Sequence, residues 1–148
     1  MPSTCRPARR SLRRALVSAL ACSLATGAQA QTTASADSAT AAAARQLDLG
    51  EQWYRSACAE CHAVKALDNA DFRHKWNGRS AFDLFSLVRN TMPESRPGSL
   101  TQGTYVAILV YLMKLNGMPA GSRRLTSDST ALAALRLTFP ASPTSTTR

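Results

Sequence analysis

The most informative stretch of the sequence is residues 58–62, which read Cys58-Ala59-Glu60-Cys61-His62. Cys-x-x-Cys-His is the attachment signal for haem c, because the spacing of the two thiols matches the two vinyl groups of the haem. The histidine that follows the second cysteine can then bind the iron. We therefore predict that Cys58 and Cys61 attach one haem c covalently and that His62 is an axial ligand.

Two other interpretations of the cysteine pair are weaker. A redox-active pair of the thioredoxin type would lie in a βαβ unit, and the sequence has no strand pattern. A zinc site would need a second pair of ligands, and His74 is the only other histidine in the chain. The remaining cysteines, Cys5 and Cys22, lie in an N-terminal segment that we expect to be removed.

Residues 1–30 have the features of a secretory signal peptide. Five arginines precede an apolar stretch, Ala15 to Ala25, that is too short to cross a membrane. Ala28-Gln29-Ala30 then forms the small-x-small pattern that signal peptidase recognises. We expect cleavage after Ala30, export to the periplasm and no membrane-spanning segment in the mature chain. Lipid anchoring at Cys22 is the less favoured alternative, because the leucine before it is one place off the lipobox spacing.

The basic character of the chain belongs mostly to this segment. The formal net charge is +9, from 18 basic and nine acidic residues. Five of the basic residues and none of the acidic ones lie in residues 1–30, so the mature chain carries +4. Aromatic residues make up only 6% of the sequence, too few for a base-stacking surface. Nucleic-acid binding is therefore not expected.

The mature chain is predicted to be all-α. Residues 31–44 have almost no large apolar side chain and predict a flexible leader. A helix is expected from about Ala43 to Ala57. Its buried face would contain the following residues: Leu47, Gly50, Trp53 or Tyr54, and Ala57. Because a glycine inside a helix costs roughly 1 kcal/mol relative to alanine, Gly50 suggests that another helix approaches closely.

The middle of the chain is divided by turn and cap signals. Residues 63–79 are expected to be irregular, with a turn at Asn77-Gly78. Ser80, followed by Asp83, predicts a capping box at the start of a helix. Pro93 should end that helix.

The last part of the domain is predicted to contain one long helix and one short one. Ser99 or Thr101 should start the long helix, whose apolar run from Tyr105 to Met113 predicts burial on most sides. Asn116-Gly117 should end it. A short helix near Ser129 to Leu135 would complete a domain over residues 45–139, with a disordered tail over 140–148.

The second axial ligand is sought among three side chains. Met92 follows a helix and opens a proline-rich loop, which would let its sulfur approach the iron opposite His62. Met118, at the end of the long helix, and His74, which would give a bis-histidine iron, are alternatives. Met113 lies within the apolar helix, where a core role is more common. We expect Met92 to be the ligand.

These elements resemble a small class I cytochrome c over residues 45 to about 120. The matching features are Gly50-x-x-Trp53, the motif at 58–62, Thr91-Met92-Pro93 and the run Tyr105 to Leu115. Other stretches resemble a subgroup found beside, or fused to, quinoprotein and related periplasmic dehydrogenases. They are Trp76-Asn77-Gly78-Arg79-Ser80, Asp83-Leu84-Phe85, Pro97-Gly98, Asn116-Gly117 and Pro119-Ala120-Gly121. Ala63 departs from the family, in which glycine is common after the histidine.

The resemblance implies three to five short helices around one haem, with the first and last helices crossing near Gly50 and with Tyr111 in contact there. It also implies axial ligation by His62 and Met92. Trp76 and Arg79 would lie near the haem propionates, where an indole N–H and a guanidinium can bind carboxylates. The apolar side chains expected to bury the haem are Phe82, Leu84, Phe85 and Leu87.

A His/Met iron has a raised potential, and two protein ligands leave no open position for a substrate. We therefore expect a periplasmic one-electron carrier rather than an enzyme. It would accept electrons from a periplasmic dehydrogenase and pass them to an oxidase or another cytochrome of the respiratory chain, through transient contacts. Two alternatives are a haem subunit of a dehydrogenase complex and a ligand-binding sensor or peroxidase-like protein in which Met92 is displaced.

Overall fold

The computed structural model describes residues 26–119 and 121–140, with side chains from residue 35 onward. Its helices are α1 (Thr26–Ala57), α2 (Val64–Leu67), α3 (Ala70–Trp76), α4 (Ala81–Thr91), α5 (Gln102–Leu115) and α6 (Ser129–Ala134). The described residues form no strand, and Ser80 and Arg136 make an isolated antiparallel bridge. The predicted all-α class is confirmed, and the five helices longer than the single turn of α2 agree with the expected number.

Several expectations concern residues that the structure does not describe. The charged and apolar parts of the expected signal peptide, and Cys22 with them, lie before residue 26, and most of the expected tail lies after residue 140. Within the described ranges, no helix has both the length and the apolar content needed to cross a membrane.

Helix α1 begins well before the expected start at about Ala43. The chain divides between residues 38 and 39, within α1, so that residues 39–57 of this helix belong to the unit that contains the other helices. Residues 31–44, for which we predicted a flexible leader, are helical. Seven of these 14 residues are alanine, the strongest helix former, so backbone propensity favours helix where no apolar face exists. The expected start at about Ala43 was too late, because it rested on the burial of apolar side chains alone.

Within residues 39–148, α1 and α5 approach closely at Gly50. A Cβ atom at this position would overlap the backbone carbonyl of Ala107 and would lie 3.1 Å from the Cβ of Tyr111. One turn further along α1, the ring of Tyr54 packs against that of Tyr111, with 5.2 Å between their centroids. Tyr54 is buried on this face, whereas Trp53 is half-buried. The close approach predicted from Gly50, with Tyr111 in contact, is confirmed.

Helices α2 and α3 occupy much of the stretch that we expected to be irregular. The Asn69 side chain accepts a hydrogen bond of 2.8 Å from the Phe72 N–H, which caps the start of α3. Phe72 and Trp76, four residues apart, are both buried. The prediction of irregular structure over residues 63–79 was therefore wrong here, because this cap and the apolar spacing after it were overlooked. The predicted turn is present, and Gly78 has a φ of +78°.

Helix α4 starts at the predicted capping box. The Ser80 hydroxyl accepts from the Asp83 N–H, and the Asp83 carboxylate accepts from the Ser80 N–H, both at 3.1 Å. These hydrogen bonds, together with the positive charges of Arg79 and Arg136, lower the pKa of the Asp83 carboxyl. The helix ends at Thr91, before Met92-Pro93. Both predicted boundaries are confirmed.

Helix α5 forms the centre of the core. Thr101 caps its start, and Asn116 caps its end, followed by Gly117 with a φ of +85°. Its buried residues are Thr104, Tyr105, Val106, Ala107, Ile108, Leu109, Leu112 and Met113. Burial on most sides is the arrangement that its uninterrupted apolar run predicted.

The segment after α5 returns to the core and supports the turn before α4. Leu132 in α6 and Leu137 are fully buried. The Leu137 carbonyl accepts from the Gly78 N–H at 2.7 Å, and the Leu137 N–H donates to the Arg79 carbonyl at 2.9 Å. This C-terminal segment thus holds the α3–α4 turn in place by backbone hydrogen bonds that a helix pattern alone does not reveal.

Candidate functional site

A cavity of about 400 Å³ lies among α1, α2, α3, α4 and α5, beside the Cys-x-x-Cys-His segment. The residues that line it are Tyr54, Cys58, His62, Ala66, Leu67, Asn69, Asp71, Phe72, Lys75, Trp76, Leu84, Leu87, Val88, Thr91, Met92, Ile108 and Leu112. Most of these side chains are apolar, with a few polar and charged groups. This size and this composition are typical of pockets that hold a cofactor or another small molecule.

The cavity brings together residues that are far apart in the chain. Cys58, His62, Trp76 and Met92, four of the six predicted site residues, all line it. Cys61 is exposed and does not line it, although it belongs to the same turn as Cys58. In that turn the N–H groups of Cys61 and His62 both donate to the Cys58 carbonyl, at 3.1 and 2.8 Å.

The turn that carries the two cysteines is tied to α1 by a buried tyrosine. The Tyr54 hydroxyl donates a hydrogen bond of 2.7 Å to the backbone carbonyl of His62. Burial raises the pKa of the Tyr54 hydroxyl, and the neighbouring Cys58 and Tyr111 raise it further. Burial also raises the pKa of the Cys58 thiol, which favours its neutral form. The chain therefore presents the Cys58 side chain as an uncharged thiol against a mostly apolar wall.

Met92 lies at the C-terminal cap of α4 and is half-buried. Its carbonyl accepts a hydrogen bond of 2.7 Å from the Tyr105 hydroxyl of α5. Met113 and Met118 are buried in the core and do not line the cavity, and His74 is exposed on α3 and does not line it either. Of the side chains considered for the second axial position, Met92 alone is part of the cavity wall as the described residues form it.

The two predicted propionate contacts have different positions. Trp76 is buried and lines the cavity, whereas Arg79 does not. The Arg79 guanidinium lies 4.6 Å from the centroid of the Trp76 ring, and its Nε is 3.8 Å from the Asp83 carboxylate. Lys75 lines the cavity instead, with its ammonium 5.5 Å from the Trp76 ring. Lys75 was not assigned to the site from sequence, because residues 63–79 were expected to be irregular and not a helix that turns Lys75 toward the site.

The apolar wall also differs in part from the prediction. Leu84 and Leu87 line the cavity, but Phe82 and Phe85 do not, and Phe85 is buried in the main core cluster. The apolar side chains that sequence reasoning did not assign to the site are Leu67, Phe72, Val88, Ile108 and Leu112. Because α5 is apolar all round, its sequence contains no signal for which residues face the cavity.

The residues present fit a covalently bound haem. The cavity wall contains a thiol, an imidazole and a thioether, and the last two are a ligand pair that haem iron accepts. Lys75 supplies a positive charge that suits a carboxylate. In the part of the chain that the structure describes, no three or more His, Cys, Asp or Glu side chains are grouped so that they could hold a metal ion by themselves. The thiol, the imidazole, the thioether and the Lys75 ammonium of the wall therefore suit a haem.

Residues 45–112, just under half of the chain, match the family described as cytochrome c oxidase, cbb3-type, subunit III. No curated protein and no solved structure matches the chain. The matched segment contains residues 45–57 of α1, the attachment motif, Met92 and residues 102–112 of α5. It therefore supports a cytochrome c domain, which implies covalently bound haem c, in this part of the chain.

Proposed function

We propose that the chain is a periplasmic one-electron carrier with a single haem c. In this proposal Cys58 and Cys61 attach the haem, and His62 and Met92 are the axial ligands. The observation that carries the proposal is that Cys58, His62 and Met92 line one cavity of suitable size. The family match supports the haem-binding part independently, because it rests on the whole segment 45–112.

When bound, haem iron supplies a one-electron Fe(III)/Fe(II) couple whose potential depends on its ligands and its surroundings. The Met92 thioether favours the ferrous state more than a second imidazole would. Leu84, Ile108 and Leu112 form an apolar part of the cavity wall, and an apolar surrounding disfavours the additional positive charge of the ferric state. With His62 and Met92 in the two axial positions, no position is left for a substrate, which suits electron transfer rather than catalysis.

The proposed electron donor is a periplasmic dehydrogenase, and the proposed acceptor is an oxidase or another cytochrome. The resemblance of residues 76–80 and 116–121 to cytochromes found beside such dehydrogenases supports the donor class. Cytochrome c domains are typically extracytoplasmic, and the signal-peptide features of residues 1–30 support the periplasm. Contacts of an electron carrier with its partners are expected to be small and short-lived.

Visible absorption spectra of the oxidised and reduced protein test the proposal. We expect a low-spin c-type spectrum with the weak far-red band of a sulfur–iron bond, and we expect Met92→Ala to lose that band. Met118→Ala is the matched control, because Met118 is buried outside the cavity. Loss of the band in Met118→Ala, or its absence from the unmutated protein, would contradict the ligand assignment. Binding of carbon monoxide to the unmutated ferrous protein at neutral pH would favour a sensor.

A second candidate is a stably bound subunit of a larger redox complex. The description of the matched family, a subunit of a cytochrome c oxidase, favours it. The dehydrogenase subunit that we considered from sequence belongs to the same class. Size-exclusion chromatography after mild extraction distinguishes a free electron carrier from a bound subunit. Elution as a small monomer supports the carrier, and co-elution with a large redox partner supports the subunit.

A further inference from the structure

The loop between α4 and α5 is closed by one side chain. Tyr105, in the first turn of α5, is only 1% exposed. Its hydroxyl donates to the Met92 carbonyl at 2.7 Å and accepts from the Leu100 N–H at 3.4 Å. Met92 and Leu100 stand at the two ends of the loop, so one phenolic oxygen joins its beginning to its end.

Apart from the Leu100 side chain, which packs against the core, the loop has little other support of its own. Its internal backbone hydrogen bonds, from Arg96 to Pro93 and from Ser99 to Arg96, are local, and residues 94–99 are exposed. The Tyr105 ring, in contrast, belongs to the main core cluster. The Tyr105 hydroxyl therefore connects the exposed loop to the core. It does so at Met92, the residue of this segment that lines the cavity.

We propose that Tyr105 is a positioning residue that holds Met92 at the cavity. This inference rests on the proposed function, in which Met92 is an axial ligand. Displacement of the Met92 sulfur is easiest if the backbone at Met92 can move, and movement of this backbone away from α5 would break the hydrogen bond to Tyr105. The bond thus adds to the free energy needed to displace Met92.

Leu135→Ala is the control for a general loss of stability. Leu135 is half-buried against the main core cluster and does not line the cavity. Tyr105→Phe removes one buried hydroxyl, which leaves the Met92 carbonyl without its donor and the Leu100 N–H without its acceptor. Both variants are expected to lower stability, but only Tyr105→Phe should ease the release of Met92.

The experiment measures binding of free imidazole to the ferric haem-loaded protein, which requires displacement of Met92. Loss of the hydrogen bond to the Met92 carbonyl should tighten imidazole binding roughly two- to twelve-fold in Tyr105→Phe. Leu135→Ala should keep the affinity of the unmutated protein. If both variants lose stability and neither changes in affinity, Tyr105 is merely structural and the inference is overturned.

The visible absorption spectrum of the unmutated protein distinguishes a failure of this inference from a failure of the proposed function. If the far-red sulfur band is absent, the ligand assignment fails and the inference fails with it. If the band is present and Tyr105→Phe binds imidazole no more tightly, only the inference fails.

Amide hydrogen exchange tests the same idea without any variant, should Tyr105→Phe not fold. The Leu100 amide should be protected in the ferric protein and should lose protection when imidazole is saturating. The Tyr105 amide, which donates to the Thr101 carbonyl within the cap of α5, should keep its protection. A Leu100 amide that stays protected in saturating imidazole would overturn the inference.

Discussion

Substitution of Gly50 by alanine tests whether the crossing of α1 and α5 sets the stability of the domain. In an isolated helix this change would stabilise by about 1 kcal/mol, because alanine is the better helix former. At the crossing, the new methyl group would overlap the backbone carbonyl of Ala107 and come within 3.1 Å of the Cβ of Tyr111. Backbone atoms cannot rotate away as the end of a side chain can, so the helices must separate.

Overpacking of a well-packed interior costs typically 1–3 kcal/mol, and the absence of a flexible neighbour places this site near the upper end. After the gain in helix propensity is subtracted, Gly50→Ala should destabilise the domain by about 1–2 kcal/mol. This corresponds to roughly a five- to thirty-fold increase in the unfolding equilibrium constant. Separation of the helices would also weaken the contact between the rings of Tyr54 and Tyr111.

Urea denaturation followed by far-ultraviolet circular dichroism measures the effect, provided that the dependence on denaturant is the same in both proteins. Gly103→Ala is the matched control, because Gly103 also lies in α5. A Cβ there would meet no atom nearer than the Thr101 hydroxyl, at 3.8 Å. This control should be neutral or stabilised by up to about 1 kcal/mol. The reasoning is refuted if Gly50→Ala is as stable as the unmutated protein.

Two further predictions concern α4 and α6. The hydrogen bonds with Ser80 lower the pKa of the Asp83 carboxyl in the folded state. Its carboxylate therefore stabilises the fold above about pH 4. This contribution is lost as the pH falls through the lowered pKa. Asp83→Asn should therefore lose less stability than the unmutated protein between about pH 7 and pH 3, and equal losses in urea titrations would contradict this. Leu132 is fully buried, so Leu132→Ala should lower the free energy of unfolding by about 2–5 kcal/mol, with half-buried Leu135→Ala showing a smaller loss as the control.

Local chemistry explains most of what the sequence predicted correctly. Ser80 and Asp83 are close enough in the chain to make both bonds of a capping box without help from the fold. Gly50 pointed to a helix crossing, because an interior helical glycine is unfavourable unless the missing side chain leaves room for something else. The start of α1 was placed too late and α3 was not predicted, although the signals for both are local. The alanine content of residues 31–44 and the Asn69 cap were given too little weight.

By itself, the sequence of this protein determined the attachment motif at residues 58–62, the all-α class and the ends of α4 and α5. All of these depend on residues within a few positions of one another. Only the tertiary structure decided that Met92, and not Met118 or His74, lines the cavity with Cys58 and His62, and that Lys75 lines it while Arg79 does not. The physical reason is that a cavity wall is built from helix faces far apart in the chain. Which face each helix presents depends on how all of them pack.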